Sequence, residues 1–171
     1  MKRTSLARSA TVSMIAAGMA FGTSVGPAAA AYSPPEVAWV NQNVILSPDK
    51  SHADVLGKYR CVGGRAGTHL WVSVKQGPGL DQSDDPDVGK GSSKASAWYD
   101  TNWNFENSEA GLTVNCNGHW HATRITVKPE FGQLTRGRAW VQWCLFDNTS
   151  TDDNFPQGFA QNYGWQTVRG A

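Results

Sequence analysis

The sequence predicts an all-β protein with a two-sheet sandwich architecture. After the first thirty residues, short runs rich in Val, Ile, Thr, Trp and Tyr alternate with clusters of Gly, Pro, Asn and Asp, a pattern typical of strands and turns. No stretch of helical length shows apolar residues at the helical period. Seven or eight short antiparallel strands in one domain suit two packed sheets.

Eight segments have strand composition and are bounded by turn residues. They are Val37–Leu46, Val55–Cys61, Thr68–Gln76, Ser96–Tyr99, Leu112–Cys116, Trp120–Lys128, Arg138–Phe146 and Gln161–Arg169. Between the fifth and sixth segments, Asn117-Gly118 predicts a tight type I′ hairpin, which requires positive φ angles. Residues 77–94 and 147–158 are predicted to be loops.

The first thirty residues predict a signal peptide. Lys2, Arg3 and Arg8 precede an apolar stretch of small residues that ends at Ala28-Ala29-Ala30, the form of a cleavage site. The alternative, a membrane anchor, is disfavoured because the stretch is shorter than the roughly 20 residues a span needs. We therefore expect a secreted, extracellular protein with one domain over residues 31–171.

The charge balance argues against nucleic acid as a partner. The chain has 15 basic and 14 acidic residues, and the predicted signal peptide contains three of the basic ones. The remaining 12 basic against 14 acidic residues give a formal charge of −2. The basic residues are scattered, whereas a surface that follows a phosphate backbone needs them clustered. No later apolar stretch reaches spanning length, so no membrane contact is expected after cleavage.

Three cysteines lie after the predicted signal peptide, and an oxidising exterior favours one disulfide. Alternate residues of a strand face opposite sides of a sheet, which places Cys61 and Cys116 on the core side and Cys144 with Gln142 on the other. The favoured disulfide is Cys61–Cys116, with Cys144 as the remaining thiol. The alternative, Cys61–Cys144, would imitate the immunoglobulin arrangement and stays open here.

The same alternation predicts a row of outward-facing aromatic residues. In the third segment Leu70, Val72 and Val74 form the core set, so Trp71 points away from the core. Trp140 of the seventh segment shares that side if the two strands are neighbours. In the last segment, either Tyr163, Trp165 and Thr167 or the residues that alternate with them share it too. The predicted ligand-binding residues are Trp71, Trp140 and Trp165, with His69 and Gln142 as a polar rim. Aromatic platforms of this kind stack sugar rings or hold extended ligands.

Four stretches, GKYRC, THLWVSVKQG, CNGHWH and GRAWVQ, resemble a group of small secreted actinobacterial proteins of unknown function. The resemblance covers about residues 53–145 and implies an immunoglobulin-like sandwich, export, and disulfide positions at Cys61 and Cys116. It implies no activity. Cys144 and the loop containing SDDPD depart from the group's pattern.

Metal sites are weakly indicated. His119 and His121 would share one side of a strand, but no third ligand follows at metal-binding spacing. The acidic segments Asp84–Asp87 and Thr151–Asn154 lack the residue order of a calcium loop. We therefore expect no metal and no cofactor.

Catalytic motifs are missing from the sequence as well. Cys144 would need a histidine base to act as a nucleophile, and Glu106 and Glu109 have no predictable separation. The sequence therefore predicts a non-enzymatic binding module for a glycan or cell-wall polymer. The alternatives are a protein-interaction or inhibitor module that acts on another exported protein, and a small secreted hydrolase. The oligomeric state is not predicted.

Overall fold

The structure is a computed structural model that describes residues 33–64, 68–80, 94–101, 114–147 and 158–170. These residues form strands β1 (Glu36–Leu46), β2 (Ala53–Arg60), β3 (His69–Gln76), β4 (Ala97–Asp100), β5 (His121–Phe131), β6 (Gly137–Phe146) and β7 (Phe159–Gly170). No helix occurs among them, so the predicted all-β class is confirmed. None of these residues belongs to a helix long and apolar enough to cross a membrane. The predicted signal peptide lies outside the described residues.

The seven strands form one sheet that closes into a barrel in the order β1-β2-β5-β4-β3-β6-β7. Neighbours are antiparallel except β1 and β7, which run parallel where residues 43–46 pair with residues 167–170. Two separate sheets are thus not confirmed. Their prediction depended on the number of short strands, which is the same for a sandwich and a small barrel.

A bulge in β1 allows this closure. Val40 pairs with Gly57 and Val44 with Val55, so four steps along β1 match two steps along β2. The Asn41 side chain accepts a hydrogen bond from the Asn43 backbone N–H at 2.8 Å and stabilises the bulge. A bulge bends its strand, and beyond this one residues 44–46 of β1 pair with β2 along one edge and with β7 along the other.

The interior of the barrel is filled by alternate residues of the strands, among which Trp143 of β6 is the largest fully buried side chain. Its ring lies against the β2 backbone at Gly57. A methyl group at Gly57 would be 2.7 Å from Cη2 of Trp143, closer than carbon atoms pack. The bulky ring therefore requires a residue without a side chain opposite it.

The predicted disulfide is present. Cys61 follows β2 and bonds to Cys116, which is 55 residues further along the chain. Cys116 also accepts a backbone hydrogen bond from Gly64 at 3.0 Å. Cys144 lies on the outer side of β6, with its Sγ 3.1 Å from the Tyr163 hydroxyl. Opposite orientation of Cys61 and Cys144 accounts for the absence of the alternative disulfide.

The predicted type I′ hairpin is wrong. Gly118 has a φ of 84°, but Lys50 is the only non-glycine residue of the described part with a positive φ. The Gly118 N–H donates to the Cys61 carbonyl at 2.8 Å, and the Asn117 side chain accepts from the His119 N–H at 3.0 Å. The turn is therefore held to the end of β2 beside the disulfide. Cys116 forms an isolated bridge, and residues 112–113 of the predicted fifth strand lie outside the described part.

Substitution of Gly57 tests the packing across the barrel. We expect Gly57→Ala to lower the free energy of unfolding by about 1–3 kcal/mol, because the added methyl group collides with the Trp143 ring. Gly164→Ala is the control, since its methyl group would meet only the Gln166 amide at 3.7 Å. Urea denaturation of both variants gives the comparison, and equal midpoints would contradict this packing.

Removal of the disulfide tests its contribution to stability. The double variant Cys61→Ala/Cys116→Ala is expected to lose about 4 kcal/mol, because the unfolded chain is no longer constrained by the loop. Alkylation of the unfolded, unreduced protein followed by peptide mapping should label Cys144. Label at Cys61 or Cys116 would contradict the observed bonding.

Candidate functional site

The predicted aromatic row lies on the outer side of β3, β6 and β7. Trp140 pairs with Trp165 in the register of β6 and β7, and their rings meet edge to face with centroids 5.1 Å apart. Trp71 of β3 pairs with Cys144 of β6 and points to the same side. The structure therefore brings the three predicted tryptophans onto one surface of one sheet.

This row is only partly open, since Trp71 and Trp165 are half-buried and the residues between them are buried. Trp140 is 4% exposed and Gln142 is 1% exposed. The Gln142 side-chain oxygen accepts hydrogen bonds from Lys75 Nζ at 2.7 Å and from Ser73 Oγ at 3.0 Å. The His69 ring stacks on the ring of Phe146, with centroids 4.3 Å apart. The predicted polar rim thus consists of groups that bond within the protein.

The contacts of Lys75 show that the outer side of β3 and β6 is packed within the protein. Its side chain is almost fully buried, and its ammonium lies 4.9 Å from the ring centroid of Trp98 and 5.9 Å from that of Trp71. A buried cation needs such partners, because desolvation is costly, and ring faces together with the Gln142 oxygen supply them. The side of the barrel formed by β3 and β6 is accordingly a packed polar and aromatic layer.

The most exposed tryptophans of the described residues lie elsewhere, on the outer side of β1 and β2. Trp39 is 39% exposed and Trp120 is 40% exposed. Trp39 pairs with Lys58 across the two strands, and the Lys58 ammonium lies 5.5 Å from the Trp120 ring centroid. The Arg60 guanidinium lies 4.9 Å from the same centroid. We call Trp39, Lys58, Arg60 and Trp120 the Trp39–Trp120 face.

Local sequence explains this arrangement. In β2 the buried positions Gly57 and Tyr59 alternate with Lys58 and Arg60, so both cations point outward. Arg60 forms an ion pair with Glu36, its partner on β1. The ion pair and the Trp120 ring fix the orientation of the guanidinium. Arg60 is therefore held in place by contacts within the protein.

A groove with a mixed polar and apolar lining runs along β1, β2 and β5. Its volume is about 160 Å³, and its lining residues are Asn41, Asn43, Ile45, Asp54, Leu56 and Arg124. Asp54 accepts a hydrogen bond from the Thr126 hydroxyl at 2.8 Å and lies 3.6 Å from the Arg124 guanidinium. The bulge of β1 places two asparagine side chains beside these groups. Amides, carboxylates and guanidinium groups are suitable partners for sugar hydroxyls.

The histidines of the HWH motif lie in the turn before β5 and at its first residue. His121 Nε2 lies 2.8 Å from the Asn117 side-chain oxygen, and its ring is tilted against Tyr59. Among the described residues, no three His, Cys, Asp or Glu side chains are grouped to hold a metal ion. The predicted acidic segments 84–87 and 151–154, and residues 106 and 109, lie outside the described part.

Sequence reasoning missed the Trp39–Trp120 face although signals for it were present. Lys58 and Arg60 alternate with core residues, and pairing of the first two strands would place Trp39 beside Lys58. Trp120 is the middle residue of the HWH motif, in which the flanking histidines suggested a metal. The missing information was the cross-strand register, which alternation within one strand does not supply.

Comparisons with protein-family models, with curated proteins and with solved structures give no match to this chain. A function is therefore inferred from its own side chains.

Chemical modification tests the exposure of the tryptophans. We expect N-bromosuccinimide to oxidise Trp39 and Trp120 before Trp140 and Trp143, because only accessible indoles react. Peptide mapping by mass spectrometry after brief treatment identifies the sites. Trp39→Phe and Trp120→Phe should each remove one fast-reacting site, whereas Trp140→Phe should remove none. Fast oxidation of Trp140 in the native protein would contradict the burial of this side chain.

Proposed function

We propose that the protein is an extracellular, non-enzymatic binding module for a polysaccharide, which it contacts through the Trp39–Trp120 face. The observation that carries the proposal is a pair of exposed tryptophans around Lys58: Trp39 pairs with Lys58 across β1 and β2, and the ring of Trp120, just before β5, lies by its ammonium. Exposed aromatic rings are unfavourable in water, and clusters of them mark interaction surfaces.

The shape of the face favours a sugar polymer over a protein partner. Trp39 lies within a strand, and the Trp120 ring is held near the cations of β2. Neither side chain extends from the tip of a long loop. Such rings offer flat surfaces for the apolar faces of sugars, and polar side chains of the adjoining groove offer hydrogen-bonding partners for hydroxyl groups.

Export is part of the proposal. The N-terminal leader predicted over residues 1–30 would direct the chain out of the cytoplasm. The Cys61–Cys116 disulfide supports an oxidising environment, where such bonds persist. Membership of the secreted immunoglobulin-like group likewise remains a proposal, based on the sequence motifs.

Binding to a panel of neutral and acidic polysaccharides tests the proposed function. We expect affinity electrophoresis to show retardation by at least one polymer. Trp39→Ala and Trp120→Ala should each weaken that binding about tenfold, because each removes one stacking surface. Phe131→Ala is the control, since Phe131 is 41% exposed but lies outside the face.

Other outcomes distinguish the alternatives. Binding that both tryptophan variants retain would overturn the proposed site, and no binding to any polymer would overturn the function and favour a protein partner. Release of new reducing ends from a bound polymer would identify a hydrolase.

A further inference from the structure

The charges around the Trp39–Trp120 face suggest which class of polysaccharide it takes. The face and the groove beside it bring together four cations and two carboxylates, namely Lys58, Arg60, Arg124, Arg169, Glu36 and Asp54. The whole chain without its predicted signal peptide carries more acidic than basic residues. Positive charge is thus concentrated on the side that also exposes the tryptophans.

The two cations beside Trp120 differ in their partners. Arg60 is neutralised by its ion pair with Glu36. Lys58 contacts the Trp120 ring, and it makes no ion pair with any residue in the described ranges. At a solvated site the contact between a cation and an aromatic ring is weak. Lys58 can therefore keep this contact and also pair with an incoming anion. Lys58 therefore presents a charge that a ligand can neutralise.

The distance between cation and ring constrains the ligand. The Lys58 ammonium lies 5.5 Å from the centroid of the Trp120 ring. A sugar stacked on this face would reach the ammonium only with an anionic group close to its own ring. The carboxylate of a uronic acid is attached directly to the sugar ring. A phosphate in a polyol phosphate chain has no sugar ring beside it to stack.

We propose that the Trp39–Trp120 face selects acidic polysaccharides that contain uronic acids, with Lys58 pairing with the carboxylate. The inference rests on the proposed function and deepens it, because it names the class of polymer. Trp39 and Trp120 contact the sugar rings, and Lys58 distinguishes a charged polymer from a neutral one. Arg60, held by Glu36 and the Trp120 ring, is a positioning residue for this surface.

Paired polymers that differ only in charge test the inference. The probes are polygalacturonate with its methyl ester, and alginate with its propylene glycol ester. We expect at least one acid form to bind about three to ten times more tightly than its ester at low salt. The difference should disappear in about 0.5 M NaCl, where the Debye length is only a few ångströms.

Variants of Lys58 assign the selectivity to one side chain. Lys58→Gln should remove the preference, so that the acid and ester forms bind alike, whereas Lys58→Arg should retain it. Arg136→Gln is the control: it removes one positive charge near the end of β1 and β7, away from the face, and should leave the preference intact.

The results separate this inference from the proposed function. Equal binding of acid and ester forms, both weakened by Trp39→Ala, would overturn the inference and leave the binding function standing. Binding of neutral polymers alone, or tighter binding of poly(glycerol phosphate) than of either uronate, would also overturn it. Failure of every polymer to bind would overturn both.

Discussion

The contact between Trp143 and Gly57 is the constraint on which the rest of the barrel depends. The indole ring occupies the middle of the interior, and only a residue without a side chain fits opposite it. This requirement fixes which residues of β2 face inward. A shift of one residue would turn the whole strand over and point Lys58 and Arg60 into the core. The outer surface of β2 therefore owes its chemistry to packing inside the barrel.

Both sides of the barrel combine a lysine with tryptophan rings, but the lysine is buried on one side and partly exposed to solvent on the other. On the side formed by β3 and β6, Lys75 is buried between tryptophan rings and bonds to Gln142. On the side formed by β1 and β2, Lys58 lies over Trp120 with the ring still exposed. The first arrangement satisfies its polar groups within the protein. The second leaves ring and charge available to solvent.

Properties set by neighbouring residues could be predicted from the sequence, whereas properties set by distant ones could not. Alternation correctly placed Cys61 and Cys116 inward and Trp71 and Cys144 outward, because it requires only that the segment be a strand. Barrel closure depends on the pairing of β1 with β7, which are far apart in sequence. The burial of Trp140 likewise depends on what packs over it. Exposure of a tryptophan is thus a property of the assembled fold, and this is why alternation alone pointed to β3, β6 and β7 and not to Trp39 and Trp120.

The parallel contact between β1 and β7 has a consequence for how the molecule reaches its native state. This contact joins the first and the last strand of the described residues. The barrel therefore stays open until the twelve-residue β7 has paired with β1. Before that moment, both β1 and β6 present unsatisfied backbone groups along a free edge. A second molecule at the same stage can supply its own β7 to that edge, which is the route to a strand-exchanged dimer. The tether within one chain favours closure on itself, since it holds β7 at a high effective concentration.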